Sequence, residues 1–168
     1  MEEPITEAIT EAITEPITEP ITEPTAEPIT EPIVIIIGLP GSGKTTFANK
    51  LDGYVIFDDF LDKFYNGDVI QAINDKKKVC LIDPRLCIPN TFNRLINRLE
   101  KIVNRTNIKL VLFSNSPDCC IANTKNRNDN RNGIYNDIDN FSRMYSLDSY
   151  SGWKSLRIVT KNFSLRST

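Results

Sequence analysis

The sequence predicts an α/β protein whose parallel sheet is wound with helices on both faces. Three observations carry that prediction. Ile33 to Ile37 is a continuous β-branched run, the pattern of a strand buried on both faces. Further strand-length apolar runs alternate along the chain with stretches of helical spacing. A glycine-rich loop and several acidic residues stand where those runs end, and open α/β sheets take their ligands at the carboxyl ends of the strands.

The elements follow in order. After the first strand and the glycine loop, a helix is expected from about Lys44 to Leu51. Tyr54–Phe57 reads as a second strand ending at Asp58-Asp59, and Phe60 to Asn74 has helical spacing broken at Asn66-Gly67. Val79–Ile82 is a third strand, closed by Asp83-Pro84. Between Asn90 and Val103 the apolar residues Phe92, Leu95, Ile96, Leu99 and Ile102 recur at three and four, the signature of an amphipathic helix. Lys109–Phe113 is a fourth strand. Ser116-Pro117-Asp118 opens another helix, with serine as N-cap and proline at the first helical position. That helix runs into asparagine-rich sequence from Asn126 to Gly133. Ile134 to Leu147 is helical again, and Leu156–Thr160 is a fifth strand.

Ahead of this domain, residues 5 to 32 are seven tetrads on the pattern I-T-E-P or I-T-E-A, one of them degenerate at Thr25-Ala26-Glu27-Pro28. Proline closing most tetrads excludes a helix interior, and isolated isoleucines among Thr, Glu and Pro cannot offset chain entropy. The chain therefore divides into an extended, acidic, low-complexity tail, 1–32, and a folded domain, 33–168. The tail reads either as a tether for protein contact or as an expanded tract with no specific role. It holds nine glutamates and no basic residue, so the domain keeps 13 acids against all 20 bases, a net charge of +7 behind a whole-chain value of −2. Such a surface favours polyanionic partners, nucleic acid among them. The Lys76-Lys77-Lys78 run reads more simply as the exposed approach to a strand.

Several classes are excluded or disfavoured. With no histidine, imidazole acid–base chemistry, Ser-His-Asp triads and Cys/His zinc sites are ruled out, so any general base is a carboxylate. The four cysteines, Cys80, Cys87, Cys119 and Cys120, form no C-x-x-C pair and read as reduced thiols of a cytoplasmic protein. No apolar run approaches a membrane span, and no secretory signal opens the chain. The many asparagines point to an AT-rich genome of viral type.

Gly38-Leu39-Pro40-Gly41-Ser42-Gly43-Lys44-Thr45 fits G-x-x-x-x-G-K-[ST] at every specified position, after a strand and before a helix, with Thr46 following. Glycines let backbone N–H groups turn inward around phosphate oxygens and the helix start adds its dipole. Lys44 reaches the β- and γ-phosphates, and the Thr45 hydroxyl is offered to Mg²⁺. Asp58 and Asp59 end the second strand beside this loop. Asp58 is the first candidate for the base that accepts the proton of an attacking hydroxyl, and a helix N-cap is the competing role for one of the pair. Asp83 ends an apolar strand as a Walker-B acid does, where it could hold a magnesium-bound water, or alternatively start a turn before Pro84. Arg85 is a candidate phosphate contact. Arg127 and Arg131, four apart and so one helical turn on one face, suit a lid that neutralises charge on a transferring phosphoryl group, against the simpler reading of an exposed turn.

Taken together, G-L-P-G-S-G-K-T-T (38–46), D-D-F (58–60), I-D (82–83) and K-N-R-N-D-N-R (125–131) leading to F-S-R-M-Y (141–145) resemble the 5′-hydroxyl polynucleotide kinase domain of phage and related P-loop kinases. The resemblance implies a three-layer, adenylate-kinase-like fold with strand order 2-3-1-4-5 and a helical lid. It implies Asp58 as the base and Arg131, with Arg127 nearby, as lid contacts to the transferring phosphate. Three residues after the catalytic acid the family carries an arginine that grips the acceptor's phosphate. Here that position is Leu61, with Lys63 the nearest substitute. The expected activity is ATP- and Mg²⁺-dependent transfer to a hydroxyl, with a nucleic-acid 5′ end as favoured acceptor. A small-molecule or nucleoside kinase and a non-catalytic nucleotide-binding module are the alternatives.

Overall fold

The computed structural model describes residues 30–162. Most of the predicted tail, 1–29, lies outside the described residues. Five strands form one parallel sheet in the order β2-β3-β1-β4-β5. They are β1 (Ile33–Ile37), β2 (Tyr54–Asp58), β3 (Lys78–Ile82), β4 (Ile108–Phe113) and β5 (Ser155–Ile158). The helices are α1 (Lys44–Ala48), α2 (Phe60–Tyr65), α3 (Asp68–Asn74), α4 (Pro89–Leu99), α5 (Pro117–Asn126) and α6 (Ile134–Met144). This is the α/β class the sequence predicts and the strand order the resemblance implies.

β1 occupies the centre, with Ile35 opposite Leu81 on one side and Leu110 on the other. All five of its residues are buried, because a parallel strand covered on both faces exposes no side chain to water. Alternate residues enter different layers. Ile33, Ile35 and Ile37 join the larger core with Phe60, Phe64, Phe92, Leu95 and Ile138, contributed by α2, α4 and α6. Val34 and Ile36 face the smaller core with Ala48 and Phe113, against which Phe47 of α1 packs. Burying one isoleucine side chain fully contributes about 1.5–3 kcal/mol, so this strand alone is a substantial part of what holds the sheet.

Helix limits are tighter than periodicity suggests. α1 ends at Ala48 rather than Leu51, and α6 at Met144 rather than Leu147. Ile102, counted in the amphipathic stripe, lies beyond the end of α4 and is exposed. The break at Asn66-Gly67 is real: Gly67 takes φ +89° between α2 and α3. Ser116 occupies the N-cap position of α5, but its hydroxyl bonds Ser114 Oγ at 3.0 Å instead of a backbone amide.

The fold holds the chain just ahead of β1. Glu31 is buried, pairs with Lys154 and accepts the Tyr54 hydroxyl on its carbonyl, while Pro32 O accepts the Val79 amide at 2.8 Å. These two residues, assigned to the tail by their repeat, are seated on the sheet. All four cysteines are free, and burial pushes the Cys80 and Cys87 thiols up to about 12 and Cys120 to about 11. Among the described residues no helix is long and apolar enough to cross a membrane.

Candidate functional site

At the carboxyl ends of the strands a cleft of about 300 Å³ is lined by Lys44, Thr45, Asp58, Asp59, Arg127 and Arg131, among others. The loop at 40–46, Asp58-Asp59, Pro84 and the stretch 127–141 thus meet in one place.

The loop from Gly38 to Thr45 forms the floor. Gly41 has φ +80°, and a Cβ there would lie 2.6 Å from the Cys120 carbonyl oxygen, so only glycine fits. α5 therefore presses directly on the loop, and Asn123 fastens the contact by donating to Gly41 O at 3.0 Å and to Lys161 O at 2.9 Å. Among the described residues Ser42 Oγ is buried without a hydrogen-bond partner. An orphaned hydroxyl inside a glycine-cleared loop fits an anion that would accept from it.

Lys44 is buried and donates from Nζ to Leu39 O at 2.7 Å, which folds its ammonium over the loop. Burial pushes its pKa down, opposed by the fields of Cys87, Cys120, Asp58 and Asp59. A lysine held this way has charge to offer and few competitors for it. Thr45 donates its hydroxyl to Asp58 Oδ2 at 3.0 Å, and the Asp59 amide donates to Asp58 Oδ1 at 3.1 Å. A carboxylate accepts about four hydrogen bonds, so Asp58 retains capacity toward the cleft.

Asp59 sits at the N-cap position of α2 with φ 48° and makes no side-chain cap bond. The N-cap role expected for one of the pair is filled by position only. Burial raises the Asp59 pKa, the neighbouring Asp58 and Asp83 raise it further, and Arg85 and Arg131 oppose them.

Asp83 is fully buried and accepts four hydrogen bonds. Its Oδ1 accepts the Arg85 amide and Nε, both at 2.9 Å, and its Oδ2 accepts Arg85 Nη2 at 2.7 Å and the Leu61 amide at 3.2 Å. Arg85 is thereby turned to Asp83 and Asp62 rather than into the cleft. Lys63 reaches only the Asp58 carbonyl, at 3.3 Å. Among the described residues no cluster of three or more acids or thiols could cage a metal ion. Mg²⁺ seldom needs one, since it is held by one or two protein groups plus phosphates, and Thr45 beside Asp58 fits that pattern.

The arginine pair is brought to the cleft, though not by helical spacing. Arg127 caps the end of α5, and Arg131 lies in the loop before α6. Asp129 between them accepts Arg131 Nε and Nη2 at 2.9 and 2.7 Å and Arg127 Nη2 at 3.3 Å. The Arg131 hydrogen bonds hold the Asp129 carboxyl down to about 2. Of the F-S-R-M-Y stretch, Arg143 pairs with Asp139 on the helix surface, and the Tyr145 hydroxyl joins the strand ends by donating to Phe113 O at 2.6 Å. Neither enters the cleft.

Sequence reasoning missed Asn123, Asp129 and the Asp83–Arg85 fork. Only Asp129 had a legible signal, an acid centred between two arginines. On the other side of the loop lies a mainly apolar cavity of about 220 Å³ walled by Phe47, Phe113, Ile158, Val159 and Lys161.

No protein-family model matches the chain. It is 44% identical over 133 residues to an uncharacterized protein of Acanthamoeba polyphaga mimivirus, a match covering 76% of this chain and 96% of that protein.

Proposed function

We propose that this chain, which belongs to the same family as that mimivirus protein, is an ATP- and Mg²⁺-dependent P-loop kinase of the polynucleotide 5′-kinase type. The observation that carries the reading is the convergence of the phosphate loop, Lys44, a carboxylate pair and two arginines on one cleft. Phosphoryl transfer needs positioning and charge neutralisation more than covalent chemistry, and these residue types supply both.

In this reading Gly38 to Thr46 cradle the β- and γ-phosphates of ATP, and the apolar cavity beside Phe47 and Val159 takes the base. Lys44 neutralises phosphate oxygens from within the loop. Thr45, beside Asp58, would hold a magnesium ion carried by the nucleotide, which would add neutralisation of the phosphate charge. Asp58 orients the acceptor hydroxyl and takes its proton as the oxygen attacks the γ-phosphorus and the bond to ADP breaks. Arg127 and Arg131 meet the charge on the equatorial oxygens. Asp83 acts at a distance, fixing the turn after β2 through the Leu61 amide.

The favoured acceptor is a nucleic-acid 5′-hydroxyl, supported by the +7 charge of residues 33–168. A cytoplasmic setting goes with this reading, since thiols stay reduced and ATP is at hand. Leu61, where an acceptor-gripping arginine would stand, favours a second reading, transfer to a nucleoside or other small alcohol. A panel of 5′-hydroxyl oligonucleotides, nucleosides and sugars with labelled ATP separates them. Labelling of none, with ATP still bound, would leave a nucleotide-binding module instead.

A further inference from the structure

A second cavity, of about 170 Å³, lies between α2 and α4. Phe64 and Tyr65 of α2, Arg85, and Arg94 and Arg98 of α4 wall it. Three guanidinium groups around one small space repel one another, and only Arg85 is neutralised, by Asp83 and Asp62. Arg94 and Arg98 have no carboxylate partner among the described residues. They stand one helical turn apart, and the other face of α4 is committed to the core through Phe92, Leu95, Ile96 and Leu99. Arg98 is oriented without being neutralised, its guanidinium lying 4.7 Å from the ring centroids of both Phe64 and Tyr65. Tyr65 is itself 67% exposed, a large aromatic ring offered to solvent beside two unpaired cations.

We propose that this face binds single-stranded nucleic acid, with Arg94 and Arg98 taking backbone phosphates and Tyr65 stacking on a base. Arginine rather than lysine suits the task because its planar fork meets two phosphate oxygens at once. An exposed aromatic ring accepts any base by its π-face. Leu61 lies in the same wall, so α4 supplies from across the cavity the phosphate grip that position 61 lacks. Describing the bound strand as the acceptor rests on the kinase reading above. Binding of the strand does not.

The test measures anisotropy of a labelled 5′-hydroxyl single-stranded oligonucleotide on the full chain over a salt series. The variants are Arg94→Gln/Arg98→Gln, Tyr65→Leu, and Lys76→Gln/Lys77→Gln. The lysine pair removes equal charge near Ile33, at the amino end of β1. The arginine variant is expected to bind roughly tenfold or more weakly. Its slope of log affinity against log salt is expected to be shallower by about 1.4. Tyr65→Leu is expected to lose about tenfold at every salt concentration, and the lysine variant less than threefold. No binding by the wild type, equal losses in the arginine and lysine variants, or equal affinity for an acidic peptide of matched charge overturns the proposal. Steady-state transfer to the same oligonucleotide separates the two readings. With both correct, the arginine variant raises KM and leaves kcat unchanged. If the wild type labels no acceptor yet binds the strand through these residues, the kinase reading falls and this one stands.

Discussion

Arg85 closes a two-point fork on Asp83, with Nε 2.9 Å from Oδ1 and Nη2 2.7 Å from Oδ2. The carboxylate is wholly buried, whereas the arginine side chain is 39% exposed. Removing one partner of a buried pair costs about 3–5 kcal/mol because the other charge is left uncompensated. Arg85→Leu is therefore expected to lose about 3 kcal/mol, the lower end, since water already reaches the guanidinium. Urea unfolding reads this as a lower midpoint at unchanged slope. A variant as stable as the wild type would mean that the fork carries no weight.

Lys44→Ala is expected to abolish phosphate transfer and weaken nucleotide binding sharply. The pH dependence has a definite sign. Burial holds the Lys44 pKa below its ordinary 10.5, so its charge is lost earlier as pH rises. Calorimetric ATP affinity should fall on the alkaline side before an ordinary lysine would titrate, and Lys44→Arg should remove that fall.

Asp58→Asn is expected to slow transfer about 10²–10⁴-fold, the range for loss of a general base, with ATP affinity largely kept. Full activity in that variant would remove Asp58 from the role.

Asp59 differs, because its pKa is raised in the folded state. The native state then holds its proton more tightly than the unfolded chain, and stability falls as pH rises from the unfolded value through the folded one. Asp59→Asn should flatten that part of the melting-temperature profile. An unchanged profile would show that Asp59 does not carry it.

Asp129 accepts from both Arg127 and Arg131 and is fully ionised at neutral pH, its pKa held at about 2, so in the proposed kinase it would compete with phosphate for them. Asp129→Asn releases them and is expected to raise ATP affinity about fivefold, about 1 kcal/mol. Unchanged affinity would place the arginines out of reach of the nucleotide.

The sheet was legible because its signal is redundant. β1 shows in five consecutive buried β-branched residues, and Asp58 and Asp83 mark two other strand ends. The glycine loop was legible because glycine is dictated locally by φ and by space. The arginine pair was half legible: both residues could be named, but four-residue spacing suggested a helical turn where the chain instead bends around Asp129. Asn123 left no trace, because its two backbone acceptors, on Gly41 and Lys161, are far away in sequence. Nor could Arg85 be foreseen as the partner of Asp83, since nothing in a strand-ending acid says which cation meets it.

The seating of Glu31 against Lys154 and Tyr54 gives the molecule two poles. All five strands run the same way, so the chain enters at one end of the sheet and the cleft opens at the other. The five residues of β1 span about 17 Å. Anything attached ahead of residue 30 is thus joined to the domain's back, and a partner could hold that end while the mouth of the cleft stays clear.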